Sequence, residues 1–375
     1  KGLLYAGTES GMYISFDDGL SWKSFQLNLP IVPITDLTIK ENSLIVATQG
    51  RSLWVLDDLT VLHQLNKKMD NSEMILFKPK DSYRFKGSEI GLAVKFTDSD
   101  ESKSLTKGTN LPNGSIINFY LKNYNKKRDS IKLSFSDNKG NLIKSFSNYS
   151  DKNKLELKQG GNQIVWDTRY NGAEILEGMI FWSTSFKGPK AVPGDYIVTL
   201  QKNNLKDSQK FKILPDPRSE ASVSDIKLQF DFVNEVNQVV DKAHKTIKSI
   251  RSINKKLKEF EENYSDKSSE KLIAFSIKLR KSFSEIEKTL YQTKNRSIQD
   301  PLNFPIKLTN KLAHLNRLLT LNDFPPTNQD LMVKDELSIL IQAALNKYDN
   351  LIENDLKKFN EEFSELELDY LILKK

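Results

Sequence analysis

Residues 15–22, Ser-Phe-Asp-Asp-Gly-Leu-Ser-Trp, constrain the fold of this chain more than any other stretch. Ser15 and Asp17 can hydrogen-bond the backbone of a tight turn, and Gly19 can adopt the positive φ that such a turn requires. Ser21 precedes Trp22, which opens the next strand with a large apolar face that can pack between sheets. These five positions therefore predict a structural hairpin turn and carry little information about activity.

Short strands separated by Gly, Asp and Asn turns are predicted over about residues 1–64. The candidates are Leu3–Thr8, Gly11–Phe16, Ser21–Gln26, Ile34–Lys40, Ser43–Thr48, Ser52–Asp57 and Val61–Gln64. The last four are spaced like one β-propeller blade, and the first three like the remainder of a preceding blade. Two blades cannot close a ring and leave strand edges unpaired. We therefore expect a propeller truncated at its N-terminus, whose other blades come from missing N-terminal residues or from a completing chain.

The same region resembles a known family. The octet fits S-x-D-x-G-x-[S/T]-W, the Asp-box, and residues 3–15, 28–37 and 47–58 resemble Bacteroidetes-type bacterial proteins with BNR repeats. Those proteins are identified as glycosyl hydrolases or as sortilin-like VPS10 β-propellers. The resemblance is strong over about 65 residues and continues at lower density along the chain. It implies an Asp-box propeller and a secreted, periplasmic or cell-surface location, although the family often has His where this chain has Gln49 and Gly where it has Ser52.

A second β-rich region is predicted over residues 80–215, after a linker at 66–79. About seven short strands separated by turn signals favour an immunoglobulin-like sandwich. The strand candidates are Ile116–Lys122, Ile131–Ser136, Leu142–Phe146, Asn162–Thr168, Met179–Thr184, Asp195–Lys202 and Gln209–Ile213. Residues 161–167 look like a strand of FlgD-type Ig modules. Trp166 and Trp182 are expected to anchor the core.

The apolar period becomes helical in the last region, residues 220–375, after Pro215 and Pro217 interrupt the preceding strand. Amphipathic helices are predicted at about 224–260, 268–294, 305–320 and 328–364, with Thr327 as the N-cap of the last. Four such helices with short links predict an antiparallel four-helix bundle or a coiled-coil-like arm. The expected fold class is therefore multidomain, β then α: partial propeller blades, an Ig-like sandwich and a helical bundle.

The first of these helices is strongly basic, with six lysines and one arginine between residues 242 and 258. It could present an anion-binding or nucleic-acid face. The favoured alternative is a solvated face that pairs with the acidic run 361–369. Neither stacking aromatics nor a known module accompanies it, so no nucleic-acid partner is expected. No apolar run approaches the roughly 20 residues that span a bilayer, so no membrane span is expected either.

The sequence contains no recognisable catalytic signature. There are no cysteines, and the three histidines are too far apart in sequence to suggest a metal site. We therefore predict no catalytic residue, no metal and no cofactor. A glycosidase needs two carboxylates on either side of one bond, and a sequence alone cannot show that pairing.

The candidate ligand-binding residues are Gln49, Arg51, Trp54 and Asp57, around a turn between two strands of the last blade. A purely structural role is the alternative. In that case Arg51 would shape a turn, Trp54 would fill the space between blades and Asp57 would hydrogen-bond a loop.

The expected function is that of a non-catalytic C-terminal interaction or spacer module in a larger secreted or envelope-associated propeller protein. The expectation rests on binding-type architecture without a catalytic constellation, and partly on fold analogy. Two alternatives stay open. One is the C-terminal part of a carbohydrate-processing BNR-type glycosidase whose active site lies in missing blades. The other is part of a sortilin-like protein-binding receptor, so the candidate ligand is a protein or a glycan.

Overall fold

The computed structural model describes residues 2–65, 72–85, 112–264 and 270–365. The chain divides into two compact units. The β unit contains residues 1–168 and 193–216, and the helical unit contains residues 169–192 and 217–375. The predicted sandwich domain, 80–215, includes residues 169–192, which the structure groups with the helices instead. The chain therefore passes between the units three times.

The elements follow the expected order of strands first and helices afterwards. The strands are β1 (Leu4–Thr8), β2 (Gly11–Ser15), β3 (Lys23–Ser24), β4 (Ile34–Lys40), β5 (Ser43–Thr48), β6 (Leu53–Leu56), β7 (Met74–Leu76), β8 (Ser82–Tyr83), β9 (Ser115–Leu121), β10 (Ile131–Asp137), β11 (Leu142–Ser147), β12 (Gly160–Trp166), β13 (Gly194–Lys202) and β14 (Leu205–Leu214). The helices are α1 (Thr60–Gln64), α2 (Val223–Asn263), α3 (Glu270–Leu290), α4 (Leu308–Leu319), α5 (Asn328–Asn350) and α6 (Lys357–Glu365), with a 3₁₀ turn at Asp300–Leu302 and a π-helical segment at Leu351–Leu356.

The first six strands form two antiparallel three-stranded sheets, ordered β1-β2-β3 and β4-β5-β6. The strand predicted over Val61–Gln64 is wrong, because this stretch is the short helix α1. The side chain of Asp58 accepts a hydrogen bond from the Thr60 backbone N–H at 2.9 Å, which turns the chain into the helix. Each sheet therefore has three strands in the described residues, where a propeller blade has four.

Two further sheets belong to the β unit, ordered β12-β9-β7 and β11-β10-β13-β14-β8. Strand β9 alternates buried and half-buried residues, as expected when one face of a strand meets a core. Trp166 of β12 is fully buried and stacks on Phe135 of β10 with 4.4 Å between ring centroids. Its predicted role as a core anchor is confirmed, and its ring connects the two sheets. Strand β7 lies within the predicted linker 66–79, whose residues 66–71 are outside the described part.

The helical unit begins with α2, whose apolar period was visible in the sequence. Its N-cap, Ser222, and that of α5, Thr327, both form capping boxes with the aspartate three residues later. The predicted N-cap at Thr327 is thus confirmed. The fourth predicted helix, 328–364, is instead interrupted by the π-helical segment between α5 and α6. Within the described residues, no helix is both long and apolar enough to cross a bilayer.

The basic face of α2 is paired locally. Lys245 lies 2.6 Å from Asp241, and Lys258 lies 3.2 Å from Glu262, one helical turn away in each case. The predicted pairing with the acidic run 361–369 is not what the described residues show. In that run, Glu361 and Glu362 each pair with a lysine four residues earlier in the chain.

Candidate functional site

The turn at residues 15–22 is closed by hydrogen bonds among its own groups. The buried Ser15 Oγ accepts from the Gly19 backbone N–H at 2.9 Å and donates to Asp17 Oδ1 at 2.8 Å. The other end of the turn is held by Asp17, which accepts from the Ser21 N–H at 2.9 Å and from the Ser21 hydroxyl. Gly19 has φ of +92°, in the region that favours glycine. The short polar side chains of this turn are therefore consumed in fixing its backbone.

The same bonds change the acidity of Asp17. The hydroxyl and N–H of Ser21 and the hydroxyl of Ser15 all donate to its carboxylate, and together they lower the pKa of Asp17 to about 2. The carboxylate is therefore ionised over the whole physiological range. Because it is committed to the turn and stays charged, it is poorly suited to act as a general acid.

A second hairpin repeats one detail of this turn. The indole Nε1 of Trp22 donates to the Gly19 carbonyl at 3.1 Å, and that of Trp54 donates to the Arg51 carbonyl at 2.9 Å. In both cases the acceptor lies three residues earlier, on the connection that leads into the third strand of a sheet. Each of the two sheets thus has a turn closed by a tryptophan indole hydrogen bond. The sequence pattern at 15–22 predicted only the first of these turns.

The four ligand-binding candidates do not form one cluster. Gln49 and Arg51 lie on the turn between β5 and β6, where the Gln49 backbone N–H donates to Pro33 at 2.9 Å. Asp57 follows the far end of β6, where its carbonyl accepts from Ser43 Oγ at 2.8 Å. With about 3.3 Å per strand residue, the length of β6 separates Asp57 from the turn. Trp54 is partly buried against the core of these sheets.

A set of long-range side-chain to backbone hydrogen bonds lies in the helical unit. Here the segment 169–192 forms two antiparallel arms, with the Ala173 N–H donating to the Phe186 carbonyl and the Tyr170 N–H to the Pro189 carbonyl, both at 3.0 Å. Backbone groups of this segment hydrogen-bond polar side chains of α2 and α4 and the hydroxyl of Tyr291, the residue that follows α3. We call this set of side chains the backbone clamp; its members are Asn237, Asp241, His244, Tyr291, Asn310, His314 and Asn316.

Amide side chains of the clamp bind both kinds of backbone group. Asn310 accepts from the Trp182 N–H at 2.8 Å and donates to the Trp182 carbonyl at 3.0 Å. Asn237 of α2 donates to the carbonyl of Lys187, a later residue of segment 169–192, at 3.0 Å. Because backbone partners are supplied in this way, residues 179–184 need no neighbouring strand, and the strand predicted there is absent. The predicted core anchor Trp182 is 40 % exposed, so that prediction is wrong.

His244 and Asp241 hold Glu174 from α2. The Asp241 carboxylate accepts from the Glu174 N–H at 2.9 Å, and His244 Nδ1 bonds the Glu174 carbonyl. A carbonyl only accepts, so Nδ1 carries the hydrogen, while the buried Nε2 has no partner among the described residues. Burial lowers the pKa of His244 and outweighs the opposing effects of the Glu174 carbonyl and the Asp241 charge. This histidine is therefore held neutral.

The clamp was missed at the level of sequence, although a signal for it exists. Gln229, Asn237 and His244 follow one another at intervals of eight and seven residues on the apolar stripe of α2. Each is buried and bonds a backbone carbonyl from another segment. Polar residues that recur on the apolar face of a helix therefore indicate a buried chain segment that needs hydrogen-bond partners.

Comparisons with known proteins leave the chain without an assigned family. No family model matches it, and no curated protein matches it. A solved structure described as "pT26-6p" is similar at 9% identity over 64% of this chain, with a TM-score of 0.15. This chain covers 46% of that structure's length. A likeness of this size carries no argument about fold or function.

Proposed function

We propose that residues 1–65 are terminal blades of an Asp-box β-propeller of the BNR or sortilin-like type. The remaining residues would be a non-catalytic interaction or spacer module of the same secreted or envelope-associated protein. The partner of the blades would be either further blades before residue 1 or a completing chain.

Exposed apolar side chains on edge strands are the observation that carries this proposal. Strands β4 and β6 are the two edges of their sheet. On β6, the side chains of Leu53 and Val55 are 68% and 53% exposed, and Ile39 on β4 is also exposed. Large apolar residues on an open edge favour association with another sheet, which is how neighbouring blades cover one another in a propeller.

The mostly antiparallel strands of the β unit, which surround the buried Trp166, support an Ig-like assignment for residues 80–168 and 193–215. Trp166 makes edge-on contacts with Tyr196 and Phe211 in addition to its stacking on Phe135. An inter-sheet tryptophan is a hallmark of immunoglobulin-type sandwiches. The FlgD-type subclass remains part of the proposal.

The non-catalytic part of the proposal is supported by where the polar side chains are used. Asp17 is fixed in its turn, Gln49 and Asp57 lie apart, and His244 is occupied in the backbone clamp. Catalysis of acyl, phosphoryl or glycosyl transfer needs such groups to converge on one substrate atom.

Mass spectrometry of the protein from its native source tests the first half of the proposal. We expect peptides that continue before Lys1 and contain further S-x-D-x-G-x-[S/T]-W turns, or a stoichiometric partner chain that contains them. A native protein that starts at Lys1 and is isolated without such a partner would contradict the proposal.

Sedimentation velocity tests the exposed edge directly. The chain should self-associate with rising concentration, and the double variant L53K/V55K should suppress this association. Leu142 is a matched control, because it is similarly exposed on β11, an edge of a different sheet. Suppression by L142K to the same extent would show that the blade edge has no special role.

Hydrolysis assays with fluorogenic glycosides test the proposal that this chain is not catalytic. This chain should release no product. Turnover by the purified chain that D57N or D17N abolishes would overturn the non-catalytic assignment and favour the glycosidase alternative.

A further inference from the structure

A groove of about 1180 Å³ lies on the surface of the helical unit, between the second half of α3, the residues that lead into α4, and α5. Apolar side chains from all three stretches line it. Ile286 comes from α3, Ile306 from the connection and Leu340 from α5. Because no single element forms the groove, its shape depends on the packing of the whole helical unit.

The groove is positively charged along its sides. In the described part of the chain, four lysines line it against one carboxylate, Glu285, which is 2.8 Å from Lys288 and so neutralises that lysine. The other three, Lys307, Lys311 and Lys347, form no ion pair with any residue that the structure describes. Three uncompensated positive charges therefore surround an apolar floor.

Helix α5 presents apolar residues to solvent as well as to the core. Leu337 and Ile341 are buried, whereas Leu340 on the groove is 45% exposed and the adjacent Ile339 is exposed further. Val333, two turns before Leu340, is also exposed. A helix that needs to cover only one core has no use for this second stripe, so the stripe marks a surface for another apolar element.

We propose that this groove binds an acidic amphipathic helix from a partner protein. The apolar face of that helix would cover Leu340 and Ile306, and its carboxylates would face Lys307, Lys311 and Lys347. Grooves between helices accept helices whose apolar residues recur at i, i+3, i+4 and i+7. Among the described residues no aromatic side chain lines the groove, so these residues offer no platform for stacked bases, and the apolar floor disfavours a bare polyanion. The inference is independent of the propeller proposal, because it concerns a different surface.

The test uses a chain of residues 1–375 and a fluorescein-labelled synthetic peptide of about 18 residues, with Leu at i, i+3, i+4 and i+7 and Glu at the outer positions. Fluorescence anisotropy measures binding at low and at raised salt. We expect saturable binding that weakens as salt rises. The double variant K311E/K347E should bind at least tenfold more weakly, and L340D should also lose affinity. The substitutions change exposed side chains, and circular dichroism checks that the variants remain folded.

Two matched controls make the result specific. Lys278 is exposed on α3 and does not line the groove, so K278E should bind as the unaltered chain does. A peptide with Lys in place of Glu should bind the unaltered chain poorly and K311E/K347E better. Equal binding of the acidic peptide by the unaltered chain and by K311E/K347E would overturn the proposal, as would the absence of binding.

Three further outcomes would assign the groove differently. Tighter binding of a single-stranded oligonucleotide or of phosphatidylserine vesicles, lost in K311E/K347E, would show that the partner is not a helix. Residues 366–375 include two acidic and several apolar residues. A chain that ends at Glu365 and binds the peptide more tightly than the chain of residues 1–375 would identify this segment as the occupant. Each of these results would replace the proposed partner.

Discussion

The side-chain amide of Asn310 holds both backbone polar groups of Trp182, accepting from its N–H at 2.8 Å and donating to its carbonyl at 3.0 Å. These residues are 128 positions apart in the chain. One side chain thus replaces the neighbouring strand that this stretch of backbone lacks. The stability of the helical unit is therefore tied to the clamp as well as to its apolar core.

Replacing Asn310 with leucine, N310L, should lower the free energy of unfolding by about 2 kcal/mol. The reason is that the two Trp182 groups lose their partner while the branching of the side chain is kept, and an unsatisfied group costs about 1–3 kcal/mol. Urea denaturation followed by circular dichroism measures the change. Asn303 is exposed, so N303L is the control and should stay within about 0.5 kcal/mol of the unaltered chain. Equal losses of unfolding free energy in N310L and N303L would contradict a stabilising role for the Asn310 hydrogen bonds.

Gly172 should not tolerate a side chain. A Cβ there would lie 1.9 Å from the Phe186 carbonyl oxygen on the opposite arm of the segment, and this obstacle is backbone. We expect G172A to destabilise the protein by about 1–3 kcal/mol, the usual range for overpacking. At Gly161, in contrast, a Cβ would meet nothing within 4 Å. The midpoint temperature of thermal unfolding should therefore be unchanged or slightly higher in G161A. A stable G172A would mean that the arms can separate without cost.

Stability should fall as the pH drops from 7 towards 5, and His244 should account for part of the fall. Burial lowers the pKa of His244 in the folded state, so the unfolded state binds more protons once the pH falls below the ordinary histidine value of about 6.5. The slope from one such group is at most about 1.4 kcal/mol per pH unit. The charges that act on it are those of Asp241 and Glu174, which favour its protonation, and of Arg251, which opposes it.

The variant H244Q tests this assignment, since glutamine can donate to Glu174 but does not titrate. Urea denaturation at pH 5.5 and 7.5 should show a smaller difference for H244Q than for the unaltered chain, even where H244Q is less stable at both values. His63 is exposed on α1, and H63Q should leave the difference intact. An undiminished pH dependence in H244Q would place its origin elsewhere.

Asp17 should titrate well below an ordinary aspartate. Its pKa is lowered to about 2 by the donors of Ser21 and Ser15, so the turn gains stability from the ionised form above pH 3.8 and loses it as the pH falls through 2. Carbon-13 NMR of the side-chain carboxyl gives the midpoint. S21A should move the midpoint upwards because it removes the largest contribution, whereas S10A, outside the turn, should not. A midpoint near 3.8 in the unaltered chain would show that these hydrogen bonds are absent in solution.

The parts of the fold that the sequence predicted are those in which each residue acts through close neighbours in the chain. Helix α2 repeats its apolar residues every three or four positions, and Thr327 finds its capping partner three residues away. The turn at Ser15 is likewise closed by groups within four residues. In such patterns the interacting residues are close together in the sequence, so the local structure can be predicted without a three-dimensional structure.

The features that the sequence did not predict depend on hydrogen-bond partners that are distant in the chain, or on the direction in which the chain runs. Segment 169–192 contains the apolar residues of a strand, but the clamp residues that hydrogen-bond it lie 50 to 131 residues away. Gln49 and Asp57 are only eight residues apart, and this closeness suggested one site. The turn holds Gln49 at one end of β6, and the extended residues Leu53–Leu56 lead to Asp57 at the other end, so closeness in sequence became separation in space.

The clamp also has a consequence for how the chain is made. Trp182 leaves the ribosome 128 residues before Asn310, which at 5–20 residues per second corresponds to about 6 to 26 s. During that interval the segment 169–192 has been synthesised, but the α4 side chains that complete its hydrogen bonding have not. Closing so long a loop is slow compared with forming the helices themselves. The segment therefore stays incompletely hydrogen-bonded until α4 is made, which happens before α5 and α6 are synthesised, and during that interval a chaperone would have most to protect.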